Sequence, residues 1–290
     1  MLRPLSPTQR QMTSQPPIPA EIPAAAPRAG AHRSTAPIVP IVLVGVLAGF
    51  LAGLFGVGGG ILIVPGLVLA AHLDQRLAHG TSLAAVLPIS VASLITYATH
   101  DNVDWTVAVW LAIGAVAGAV LGTRLLHVLP QRTLGVLFGV MLIASAIRLF
   151  FDTDATGRGA VDPATVVSLI VVGVVTGILA GLLGVGGGIV MVPAMILLFG
   201  VPPVVAKGTS AAVIIPTAVM GTLRNRKKRN ADLRAAAIVG VAGILTAAIG
   251  GTLSDRMSDT VSNVLFASLL LVVALRMLWQ LRRAAHDEPV

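Results

Sequence analysis

Gly53-Leu54-Phe55-Gly56-Val57-Gly58-Gly59-Gly60-Ile61 occurs a second time, 128 residues on, as Gly181-Leu182-Leu183-Gly184-Val185-Gly186-Gly187-Gly188-Ile189. The same offset pairs Pro65 with Pro193, Gly80-Thr81-Ser82 with Gly208-Thr209-Ser210, and Pro88 with Pro216. It also pairs Leu137-Phe138 with Leu265-Phe266 and Arg148 with Arg276. One offset held over most of each half marks a duplicated unit. Each glycine cluster sits inside a long apolar run, and that setting limits what it can be.

The chain has 290 residues, 56% hydrophobic and 11% charged, with a mean hydropathy of +0.91. Soluble domains carry about 25% charged residues. Apolar runs of about 18 or more residues read as membrane spans, and several follow one another here, so the composition predicts an all-α polytopic membrane protein. The net charge of +8 gathers at span ends, where it sets orientation, and nucleic acid is not an expected partner. Without cysteine there is neither a disulfide nor a thiolate site.

Residues 1–37, rich in Pro, Ala, Ser and Thr, read as a disordered N-terminal tail. The first repeat is expected over 38–151, a linker over 152–163, the second repeat over 164–281 and a short tail over 282–290. The uncharged run from Ile38 to Ala71 would be about 51 Å long as one helix, whereas a hydrocarbon core of ~30 Å needs about 20 residues. Ala164–Ala206 is longer still. Both runs are expected to break into two helical pieces meeting at the glycines. Three simpler spans should follow in each half: Thr81–Thr99, Trp105–Thr123 and Thr133–Phe151, then Thr209–Leu223, Ala235–Ser254 and Thr260–Leu281. This makes eight hydrophobic segments. Small residues at Gly114, Gly118, Gly122, Gly240 and Gly243 suit close helix packing in lipid.

Basic loops mark the cytoplasmic side. Arg224, Arg226, Lys227, Lys228 and Arg229 form one such loop, and the matching loop of the first half, His100–Asp104, has no Lys or Arg. Matching loops are therefore expected on opposite sides, giving inverted repeats with both termini cytoplasmic. Inverted repeats with broken helices are a recurrent transporter design. Four full spans per half, giving parallel repeats, is the alternative.

No Asp or Glu lies inside an apolar run, which argues against a carboxylate cation site, and there is neither a paired-acid hydrolytic site nor a His cluster for a metal. No catalytic residue, metal site or cofactor is expected. What remains is backbone. A helix N-terminus exposes unpaired N–H groups suited to an anion, and glycine lets a ligand approach the chain closely. The candidate anion-binding residues are Gly56, Gly58, Gly59 and Gly60 with Gly184, Gly186, Gly187 and Gly188, joined by the hydroxyls of Thr81, Ser82, Thr209 and Ser210 and by Lys207. The hydroxyls can equally be N-caps opening the following spans, and Lys207, like His79 at the matching position, can snorkel to the headgroups.

The paired Gly-Val-Gly-Gly-Gly segments with Pro65 and Pro193, the paired Gly-Thr-Ser segments and the two-halved layout resemble the TauE/SafE-type sulfite exporter family of membrane permeases. The resemblance covers about Ile41 to Leu281. It implies transport of small sulfur-containing or organic anions such as sulfite, thiosulfate or sulfonates across the bacterial inner membrane. The expected partners are a small anionic substrate and the lipid bilayer. Two other functions fit the hydropathy: a channel or carrier for a cation or neutral solute, and a non-transporting membrane scaffold.

Overall fold

The computed structural model describes residues 38–125, 139–150 apart from 141, 145 and 148, 162–183, 186–227 and 231–286. The expected tail 1–37, nearly all of the linker 152–163 and Gly184 lie outside the described residues, as does the start of the expected span Thr133–Phe151. Every regular element among the described residues is helical. The first half contributes α1 (Ile38–Phe55), α2 (Gly60–Ala70), α3 (Gln75–Ala98) and α4 (Trp105–Leu125). The second contributes α5 (Pro163–Leu183), α6 (Gly188–Phe199), α7 (Pro203–Lys227), α8 (Leu233–Arg256) and α9 (Asp259–His286). Among the described residues, six helices are long and apolar enough to cross a membrane: α1, α3, α4, α5, α7 and α8.

The overlong runs divide at the glycines, as their length requires. α2 and α6 have 11 and 12 residues, roughly 16–18 Å, or about half of a ~30 Å hydrocarbon core. Each folds back along its predecessor. A methyl at Gly59 would meet the Ala48 carbonyl oxygen at 2.7 Å, and one at Gly66 would meet a Val44 methyl at 2.6 Å, so α2 runs antiparallel to α1. Pro65 and Pro193 lie inside the half-helices, not at the breaks. A broken backbone survives at membrane depth only inside protein or beside a cavity. The described parts of both breaks meet that condition: residues 52–60 and 186–196 are all buried. α2 shares a core with α1, α3 and α8, and α6 shares one with α4, α5 and α9.

Helices of the two halves interlock through glycine. In α1, Gly45, Gly49 and Gly53 lie against Val239, Gly243 and Ala247 of α8; in α5, Gly173, Gly177 and Gly181 lie against Leu111, Ala115 and Ala119 of α4. These are the same contacts shifted by 128 residues, and the order of the contacts makes each pair parallel. A methyl at Gly53 would stand 2.0 Å from the Ala247 carbonyl oxygen, so only glycine permits this approach. Gly114, Gly118 and Gly122 have the packing role their spacing suggests, each within 2.1–2.6 Å, by the same measure, of an α5 carbonyl oxygen.

The central pair, α3 and α7, occupies matching positions of the two halves. Gly208 stands beside Tyr97 and Asn102, whereas Gly221 stands beside Leu83. Contacts that descend along α3 as they ascend along α7 make these two helices antiparallel. Their boundaries correct the expected ones. α3 starts at Gln75 rather than Thr81, and α7 at Pro203 rather than Thr209. Hydropathy marks where lipid begins, but a helix continues into the polar zone as long as its hydrogen bonds do. The Ala78 N–H reaches the Asp74 carbonyl at 2.8 Å and the Ala206 N–H reaches that of Pro202, also at 2.8 Å. Gly-Thr-Ser thus lies in the second turn of each helix, and its hydroxyls are not N-caps.

Candidate functional site

The glycine breaks have the backbone that glycine alone takes readily. Gly56, Gly58 and Gly59 have φ of +66°, +75° and +71°, and Gly186 and Gly187 have +82° and +81°. Gly59 and Gly187 are the N-caps of α2 and α6. The Leu62 and Ile63 N–H groups reach the Gly59 carbonyl at 3.0 and 3.1 Å, and those of Val190 and Met191 reach Gly187 at 3.1 Å. The N–H groups just before these, on Gly60 and Ile61 and on Gly188 and Ile189, are the orphan donors of a helix start.

The two breaks meet. A methyl at Gly58 would contact Ile214 at 3.1 Å and Val86 at 3.2 Å; one at Gly186 would contact the same residues at 3.4 and 3.6 Å. Val86 and Ile214 occupy matching positions near the middles of α3 and α7. A methyl at Gly188 would stand 2.7 Å from the Val57 Cα and 2.9 Å from the Gly56 carbonyl oxygen, so the loops touch directly. Two half-helix N-termini, each carrying roughly half a positive charge, therefore point into one region at mid-length of the central helices.

Of the hydroxyls, all four are fully buried, with Thr81, Ser82, Thr209 and Ser210 at 0% exposure. The threonines are engaged by protein. The Thr81 hydroxyl donates to the Leu77 carbonyl at 2.7 Å and accepts the Asp232 N–H at 2.9 Å. Thr209 accepts the Asp104 N–H at 2.9 Å. Asp104 and Asp232 precede α4 and α8, so each half's threonine holds the other half's helix start. Ser82 and Ser210 have no hydrogen-bond partner. Elsewhere helix hydroxyls bond back to their own backbone, as Thr96, Ser168, Thr217 and Ser268 do at 2.7–3.0 Å.

Lys207 does not snorkel. It is 1% exposed and lies against the break, where a methyl at Gly56 would meet its carbonyl oxygen at 2.4 Å. Its Nζ donates to Ser254 at 3.1 Å and to Ser262, and stands 5.8 Å from the Phe55 ring centre. Ser254 is also bonded to Tyr97, whose hydroxyl donates to the Gly53 carbonyl at 2.6 Å. A hydrogen-bonded chain thus links the buried ammonium to the helix just before the break. His79, at the matching position, is half-buried. Sequence reasoning missed Tyr97, Ser90, Ser93, Ser254 and Ser262. Only the helical spacing Ser82, Val86, Ser90, Ser93, Tyr97, one face of α3, was there to point to the first three.

The sulfite exporter TauE/SafE family model matches residues 10–149, 41–215 and 169–289, so that its first and last matches fall on the two halves. The chain belongs to this family of membrane transporters. Its relatives include YunE of Bacillus subtilis, 31% identical over 209 residues, covering 64% of this chain and 77% of YunE. A protein of Methanocaldococcus jannaschii is 28% identical over 260 residues, covering 82% of this chain and 94% of its own. YjnA of Bacillus subtilis is 29% identical over 256 residues, covering 83% and 99%. All three bear the name probable membrane transporter protein.

Proposed function

We propose that this TauE/SafE protein is a permease for small sulfur-containing or organic anions such as sulfite, thiosulfate or sulfonates, bound at mid-membrane between two inverted repeats. The observation that carries the sign of the charge is Lys207. Among the described residues it is the one basic side chain buried in the helix bundle, and no carboxylate side chain is buried. A buried cation beside two half-helix N-termini favours a negatively charged solute. The candidate glycines, with Ser82 and Ser210, supply the neutral donors, and no chemical step is assigned to the site.

Antiparallel α3 and α7 support the inversion, because equivalent helices of parallel repeats would run the same way. The basic loop after Arg224 supports an orientation in the cytoplasmic membrane with both termini inside. The cysteine-free chain makes this direct to test. An impermeant thiol reagent added outside should modify Asn102→Cys and leave Asn225→Cys unmodified.

The function is tested by flux in proteoliposomes of the purified protein. Sulfite, thiosulfate or methanesulfonate should enter faster than in protein-free vesicles. Flux of divalent cations without flux of any of these anions would replace the reading with a cation pathway. No flux of either kind would favour a scaffold.

A further inference from the structure

Among the described residues, five hydroxyls of the central helices are buried without a hydrogen-bond partner: Ser82, Ser90, Ser93, Ser210 and Thr222. Unsatisfied buried polar groups are rare in native proteins, and helix hydroxyls have a ready partner in the carbonyl one turn back. These five have not taken it. The four serines are at most 1% exposed.

Their heights are not the same. Gly221 stands beside Leu83, so the adjoining residues Thr222 and Ser82 share a level. Gly208 stands beside Tyr97, which brings Ser210 and Ser93, two residues after Gly208 and one turn before Tyr97, to a common level towards the other end. On α3 the two levels, Ser82 and Ser93, are separated by 11 residues, roughly 16 Å of helix. A hydrogen bond to an oxyanion spans about 3 Å, and a small anion cannot touch both levels. Between them lie Val57, Val86 and Ile214, each 0% exposed, with Gly58 and Gly186 packed against the last two. The apolar contact lies between the two levels of hydroxyls.

We propose that the anion site is two half-sites on either side of this partition: Ser93 with Ser210 towards the Asn102 end, and Ser82 with Thr222 towards the Arg224 end. This rests on the anion reading given above and adds to it where the solute waits. Each pair takes one small oxyanion through its hydroxyls. The solute moves between pairs when the glycine breaks shift past Val86 and Ile214, and Ser90, one turn beyond Val86, is the hydroxyl it meets on the way. The half-sites differ in their basic neighbour: Lys207 precedes Ser210 by one turn, whereas His79 precedes Ser82.

The test uses the full chain in sealed vesicles, with cysteine placed singly at Ser93, Ser210, Ser82 and Thr222. These changes disturb no recorded hydrogen bond, and two positions per level guard against one variant failing to fold. An impermeant thiol reagent should modify Ser93→Cys and Ser210→Cys only from the Asn102 side, and Ser82→Cys and Thr222→Cys only from the Arg224 side. Methanesulfonate, which does not consume the reagent, should slow modification at both levels severalfold. Modification of both levels from the same side, or of neither level from either side, overturns the two half-sites while flux of the unmodified protein still upholds the anion permease. Opposite-side modification that no anion slows, in protein that carries no anion, overturns the anion assignment at both levels.

Discussion

The Thr209 hydroxyl accepts the backbone N–H of Asp104 across 2.9 Å, from the other half of the chain. Thr81 and Asp232 repeat the bond in reverse at the same distance. In each, an N–H at a helix start, beyond reach of any carbonyl of its own helix, is satisfied by a hydroxyl from the opposing half. Thr209→Val keeps the shape and strands the amide, so it should cost about 1–3 kcal/mol of stability, as should Thr81→Val. Thr209→Ser should restore most of the loss. Thermal melts of the purified variants check this, and an unshifted midpoint in both valine variants would remove the latch.

Ser82→Ala and Ser210→Ala should behave in the opposite way. Each deletes a buried hydroxyl that bonds to nothing in the protein, so the melting midpoint should hold or rise. Loss of a neutral donor to the solute should weaken anion affinity roughly 3- to 10-fold. Isothermal binding and melting on the same preparation separate the two effects.

Lys207→Met replaces a buried cation with an apolar chain of similar length. The change strands the Ser254 and Ser262 hydroxyls that Nζ bonds, so stability should fall by about 1–3 kcal/mol. Anion affinity should fall tenfold or more, as a charged donor contributes about 1.5–3 kcal/mol. Lys207→Arg keeps the charge and should recover part of it. Unchanged affinity in the methionine variant would take Lys207 out of the site.

The glycines should differ in tolerance. Gly186→Ala meets only side-chain methyls at 3.4 Å or more, leaving the positive-φ strain of about 1–2 kcal/mol. Gly56→Ala drives a methyl to 2.4 Å from the Lys207 backbone, which has no rotamer to change. The second substitution should therefore lower stability and flux well below the first.

At the entrance to α5 the Asp162 carboxylate accepts the Thr165 N–H at 2.8 Å and also the Thr165 hydroxyl. These bonds hold its pKa below the usual carboxylate value. A depressed folded pKa contributes stability that is full above the unfolded value, near 3.9, and is lost as pH falls through the folded one. Asp162→Asn keeps a good cap without titrating. Melts taken from pH 7 downward should show the parent losing stability relative to the variant only below about pH 4.

The breaks were legible because length alone forbade one straight helix, whatever the glycines were for. The starts of α3 and α7 were not, since the polar residues of their first turns look like loop to a hydropathy count. The threonine latches were out of reach for another reason. Their partners lie 105 and 151 residues away, and which amide meets which hydroxyl depends on the register of α3 against α7. The offset that pairs Asp104 with Asp232 was present in the sequence, but nothing local says what those residues hold. Lys207 was visible as a cation beside an apolar run. Its burial is decided by Ser254 and Ser262, which have Leu126 and Leu134 at the matching first-half positions.

The glycine seam between α1 and α8 has a consequence for biosynthesis. Gly45, Gly49 and Gly53 enter the membrane early, but Val239, Gly243 and Ala247 are each made 194 residues later in a chain of 290. At ~5–20 residues per second, the first helix waits on the order of ten seconds or more with its backbone groove turned to lipid or to a temporary neighbour. The seam between α4 and α5 closes far sooner. Assembly is thus expected to start in the middle of the chain and finish by capturing its first helix. The first half alone would always lack that wall, and a separately expressed second half should be able to supply it.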